Sequence, residues 1–141
     1  MIADLAKNVA VAINNSGLLP EGVEAVSRTL PPIYERIHLK EMKVVVVPVG
    51  KGAEAYTRSN VKVDHEFDVG FYVSVSRGAE QENQVGDYIA MTEQIAIMMF
   101  GEVIDGHTCI KVEHTALYSD EHLRKKSIFF GVLTLGYKGI T

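Results

Sequence analysis

Asp64, Glu66 and Asp68 stand two residues apart. On an extended chain that spacing points three carboxylates to one side, an arrangement that holds a divalent cation in a metal-dependent nuclease. Lys62 continues the row, and no lysine or histidine base accompanies it. The row therefore also fits a solvated strand face kept in water by its charge. A third use follows if the strand lines a pore, because acids repeated around a ring make a negative wall that does not grip phosphates.

The other reactive letters are less complete. His107 has Cys109 two residues on and His114 seven residues away. Structural zinc needs four converging ligands, and one cysteine leaves the set short. His65 and His114 read as hydrogen-bonded members of strand faces, His38 and His122 as surface residues. Gly50-Lys51-Gly52 lacks the Ser or Thr and the following helix of a phosphate loop. Ser119, Asp120 and His122 contain the letters of a hydrolytic triad without the strand-turn-helix elbow that exposes its serine, so Ser119 or Asp120 reads better as a helix cap. Arg124, Lys125 and Lys126 are the one basic run, without the interleaved aromatics of a nucleic-acid site. Set against the acidic row of a neighbouring copy, these three charges would fix register more than affinity.

The elements that position these residues follow from periodicity. Ile2, Leu5, Val9, Ala12 and Ile13 recur at helical spacing and stop at Asn14-Asn15-Ser16-Gly17. Pro20, Gly22 and Pro31-Pro32 break the next stretch, with at most a short helical turn between Tyr34 and Met42. Val44 to Val47 is a β-branched run ending at Pro48, which predicts a buried strand, and 51–60 has the composition of an exposed loop. From Val61 to Ser76 apolar and polar residues alternate strictly over sixteen positions, one long strand with one greasy face. Residues 83–100 return to helical spacing through Val85, Tyr88, Ile89, Thr92, Ile95, Ala96 and Met99, with Gly101 as the stop. Ile110 to Ala116 alternates again, Ser119 to Lys126 is a polar connection, and Ile128 to Tyr137 is a strand apolar on both faces, as a strand covered on both sides would be. The expected fold is α+β: a mainly antiparallel sheet of about four strands with helices packed on it, in the order α-β-β-α-β-β, forming one domain over 1–141.

Composition bounds the classes. The chain has 141 residues, 47% of them hydrophobic, and 14 basic against 18 acidic side chains. That supports a single core and excludes a disordered tail, a collagen-like fibre and a strongly basic nucleic-acid binder. A lone cysteine excludes an intramolecular disulfide framework and fits a reducing compartment. An acid at Asp4, where a secretory leader is basic, and the lack of a long apolar run lead us to expect a cytoplasmic product with no membrane anchor.

One length does not fit. A compact domain of this size has a radius of gyration of about 14 Å and a diameter of roughly 37 Å. Sixteen extended residues span roughly 53 Å. Either the strand bends near Gly70, or one end of its hairpin projects and needs a partner for its apolar row and open edges. A head-to-tail contact between such an arm and a neighbouring sheet would close into a ring or grow into a filament.

The pattern of segments resembles the tail terminator or tail-completion proteins of long-tailed phages. The likeness is carried by Met1-Ile2-Ala3-Asp4-Leu5, the Leu30-Pro31-Pro32 break, and Leu39-Lys40-Glu41-Met42 leading into Val44 to Pro48. It continues through the long alternating strand, Glu121-His122-Leu123 and Val132-Leu133-Thr134-Leu135, and spans nearly the whole chain. The resemblance implies a virion protein, made in the host cytoplasm, that forms a hexameric ring on the last tail-tube ring and ends tube growth. It would present a surface to the head connector or stopper protein and leave a channel through which DNA passes without sequence-specific binding. The family has no catalytic residues and no cofactor to carry over. By this analogy Lys62, Asp64, Glu66 and Asp68 face a pore or a subunit interface, and Lys51, Tyr56, Arg58, Arg124, Lys125 and Lys126 make contacts between rings or subunits. Tube, stopper and neck proteins share the architecture and remain alternatives. So do a small metal-dependent enzyme using the Asp64, Glu66 and Asp68 row and an adaptor that binds a protein through the hairpin.

Overall fold

The computed structural model describes residues 2–32, 34, 36–55 and 61–140, with the backbone alone at 2, 36, 37, 50–55, 61–64 and 140. Helix α1 (Ile2–Asn15) buries Leu5, Ala6, Val9, Ala10 and Ile13 along one stripe. It ends where the Ser16 hydroxyl donates to the Ile13 carbonyl at 2.6 Å and Gly17 turns to a φ of 74°. Asn14 then grips the next element: its Nδ2 donates to the Ala25 carbonyl at 3.0 Å, and its Oδ1 accepts from the Ala25 N–H at 2.6 Å.

Six strands form one mixed sheet: β1 (Ala25–Ser27), β2 (Lys43–Ala55), β3 (Val61–Ser74), β4 (Val103–Ile104), β5 (His107–Ala116) and β6 (Ile128–Ile140). Their spatial order is β1-β2-β3-β6-β5-β4. The β1–β2 pair is parallel and every other pair antiparallel. Helix α2 (Gln81–Met99) buries Val85, Thr92, Ile95 and Met99 on the same face as α1, over Phe67, Phe71, Phe129, Leu133 and Tyr137. At roughly 1.5–3 kcal/mol for each large apolar side chain fully buried, this layer dominates the stability of the fold. Helix α3 (Asp120–Lys126) lies against β6.

The α+β class and the two long helices agree with the sequence, but the sheet differs from the expected one. It has six strands rather than about four, and it is mixed rather than wholly antiparallel. With β1, β4 and α3 added, the chain order is not α-β-β-α-β-β. Strands of three and two residues are too short to show a period, and α3 has a single apolar residue, Leu123, and buries none, so no stripe marks it. The segment expected as a loop from Lys51 is strand as far as Ala55; residues 56–60 lie outside the described residues.

The expected open edges of the long hairpin need correction on the β3 side. β3 is unbroken from Val61 to Ser74, and its second edge is paired with β6 all the way from Lys62 to Ser74. The irregularity lies not at Gly70 but in β2, between Pro48 and Gly50. β3 is thus a central strand of a three-strand ribbon with β2 and β6. Its apolar row is covered by the chain's own layers: Phe67, Val69, Phe71, Val73 and Val75 are buried, and His65 with them. From His65 to Val75 the row is covered within the chain; Val61 and Val63 fall among the positions described by backbone alone.

Candidate functional site: the open face of the sheet

The alternation that buries the odd positions of β3 turns Glu66, Asp68, Gly70 and Tyr72 to the opposite face. That face carries neither α1 nor α2. It divides into an apolar groove and a polar ladder.

The groove, of about 250 Å³, is lined by Pro31, Val45, Val47, Pro48, Val49, Asp68, Gly70, Tyr72, Phe130 and Val132. Its aromatic wall is a ladder of rings: Tyr72 stacks on Phe130 at 4.5 Å and 11°, Tyr34 meets Tyr72 edge-on at 5.0 Å, and His122 tilts over Phe130 at 5.1 Å. Gly70 makes room for this arrangement, since a Cβ there would sit 2.9 Å from Cε1 of Tyr72. Burial pushes the Tyr72 hydroxyl above its ordinary range, with Tyr34 and Asp68 adding to the shift.

The ladder crosses β3, β6 and β5. Thr134 Oγ1 donates to Asp68 Oδ1 at 2.7 Å and shares a hydrogen bond with Thr115 Oγ1. Lys111 Nζ lies 3.4 Å from Glu66 and 3.8 Å from Glu113. These ion pairs are half-exposed and contribute at most about 1 kcal/mol each. The acids are thus already partnered within the sheet. Among the described residues, no three His, Cys, Asp or Glu side chains converge in a way that would hold a metal ion.

The residues singled out by sequence are dispersed. Glu66 and Asp68 share the open face. Lys62 and Asp64 are in register with Ile140 and Lys138 on β6, and Lys51 with His65 on β3, all three described by backbone alone. Tyr56 and Arg58 lie outside the described residues. Arg124 and Lys125 are exposed on α3 and pair one turn back with Asp120 (2.9 Å) and Glu121 (3.6 Å), while Lys126 lines a second cavity with Tyr34, Tyr72, His122 and Phe130.

Ser119 is a cap. Its Oγ accepts from the His122 N–H at 3.3 Å and contacts His122 Nδ1 at 2.8 Å, while Asp120 is turned to Arg124. His122 is half-buried against Phe130 rather than a simple surface residue. The zinc candidates separate likewise: His107 packs edge-on against His65, Cys109 is buried, and His114 meets Thr92 Oγ1 at 3.3 Å. Burial pushes the Cys109 thiol up, away from the reactive thiolate.

Sequence reasoning did not find Lys111, Thr115 or Thr134, whose place beside the acids depends on cross-strand register. It also passed over the groove, although Gly70 and Tyr72 interrupting the polar row were a visible sign of it. Among known proteins, no family model matches this chain and no curated protein matches it. Among the described residues, no helix is long and apolar enough to cross a membrane.

Proposed function

We propose that this chain is a non-enzymatic structural protein of a phage virion. It forms a ring, with six copies as the expected number, that caps the tail tube, meets the head connector or stopper, and leaves a channel for DNA. The observation that carries this reading is the polar part of the sheet face opposite the two long helices, beside the second apolar cluster of Leu39, Val45, Tyr72 and Ile128. Both long helices pack on one face, while the other presents Glu66, Asp68 and Glu113 with Lys111 held between two of them. A wall facing passing DNA must not bind phosphate, and a face whose lysine is neutralised by flanking acids meets that need. The segment resemblance to tail terminators supports the same reading and supplies the place in the virion.

The test is tube assembly. Tail-tube protein polymerised with this chain present should give shortened tubes bearing a cap at one end. Tubes of undiminished length with bare ends would overturn the terminator role.

A further inference from the structure

The sheet leaves two edges half covered, and the halves are complementary. β1 covers only the start of β2, at Val44 to Val46, with one further bond from the Arg28 N–H to the Val46 carbonyl. On the other side β4 covers only the start of β5: Val103 and Ile104 pair with Thr108 and His107, and the cover ends with the bonds between Cys109 and Gly101 and Glu102. Among the described residues nothing pairs with the outer edge of β2 from Val47 to Ala55 or of β5 from Ile110 to Ala116. Edges of this kind are pairing sites.

Natural edges are usually protected by bulges and charges. Here β2 is irregular at Val49 and β5 at Ile110 and Thr115, and Val49 and Ile110 expose apolar side chains, at 55% and 48%. Exposed Leu117 continues the β5 side. Two opposite edges of one sheet thus each carry unpaired backbone and large apolar residues.

Direction fits as well. β2 and β5 run antiparallel through β3 and β6, so neighbours related by rotation about a ring axis would set one copy's β2 beside the next copy's β5 as an antiparallel pair. Matching the free stretches needs a stagger. Glu113, the middle of the free part of β5, lies level with Val47 through Thr134 and Asp68, whereas Lys51, the middle of the free part of β2, lies three rungs further along β3, opposite His65. Three rungs of about 3.3 Å over four strands of about 4.8 Å tilt the strands by roughly 30°, close to the range in which sheets close into barrels.

We infer that the free edge of β2 (Val47–Ala55) pairs with the free edge of β5 (Ile110–Ala116) of a second copy, making a head-to-tail sheet continuous from subunit to subunit. This rests on the ring reading and specifies its joint. The test uses the full chain. Amide exchange in 47–55 and 110–116 should slow on assembly. Val49→Cys combined with Thr115→Cys, which this register sets opposite one another, should give, on oxidation, a ladder of dimers, trimers and higher products, while each single variant stops at dimer. A ring of the expected mass with neither protection nor ladder would overturn the joint and leave the ring reading standing. Protection seen only when another protein is added, without a ladder, would assign the edges to that protein and overturn pairing between copies. A chain that stays monomeric, alone and with tail tube, would overturn both.

Discussion

Thr134 donates its hydroxyl to Asp68 at 2.7 Å from the position directly opposite it on the neighbouring strand. Thr134 is buried and takes a further hydrogen bond with Thr115, so an acid singled out for its possible chemistry is a fixed part of the sheet. Replacing Thr134 by Val keeps the shape and leaves Asp68 without this donor. The expected loss is about 1–2 kcal/mol in urea unfolding, with a coupling of about 1 kcal/mol to Asp68→Ala in a double-mutant cycle. Strictly additive effects would show that the contact contributes nothing.

Gly70→Ala tests the groove. The added methyl meets the Tyr72 ring, which is itself stacked on Phe130. We expect a loss of about 1–3 kcal/mol and a changed near-ultraviolet tyrosine signal as the ring shifts. An unchanged spectrum and stability would mean that the ring yields freely.

Tyr137 is buried, and its hydroxyl interacts with the buried Cys109 thiol. Burial drives its pKa far above the ordinary value of 10, and Tyr72 and Tyr88 shift the same way. Below about pH 10 these phenols are neutral in both the folded and the unfolded chain, and the stability they allow is present in full. Above it the unfolded chain releases protons that the fold retains, so stability falls as pH rises. Tyr137→Phe should therefore flatten the decline above pH 10 in urea unfolding. A decline above pH 10 as steep in the variant as in the parent would show that Tyr137 contributes nothing to it.

Ser119 closes the first turn of a seven-residue helix that buries none of its residues. Ser119→Ala should cost about 1 kcal/mol and accelerate amide exchange within 120–126, while Ser119→Asp keeps protection. Equal exchange in all three proteins would remove the cap from the account.

Much of this architecture was legible because long elements repeat. The α1 stripe, the α2 face and the odd positions of β3 from His65 on lie where their periods place them, and Ser119 caps as its residue type suggests. β1 and β4 were not legible: a short strand is defined by its neighbour, Val26 by Val45 and Ile104 by His107. The length of β3 was legible from its period, but not that β2 and β6 lengthen with it and share the span. The open face was half visible, with Glu66 and Asp68 in their row, but Lys111 and Thr134 join them only through register. The sheet edges, which carry the joint proposed between copies, depend on where short strands stop, and no local pattern encodes that.

The most direct measurement is the mass of the purified chain in solution, paired with negative-stain images, alone and with tail-tube protein. The account predicts annular particles near six times the 15.5 kDa chain mass, formed by the chain alone or on the tube end. A 15.5 kDa species that persists at high concentration and in the presence of tube would contradict it.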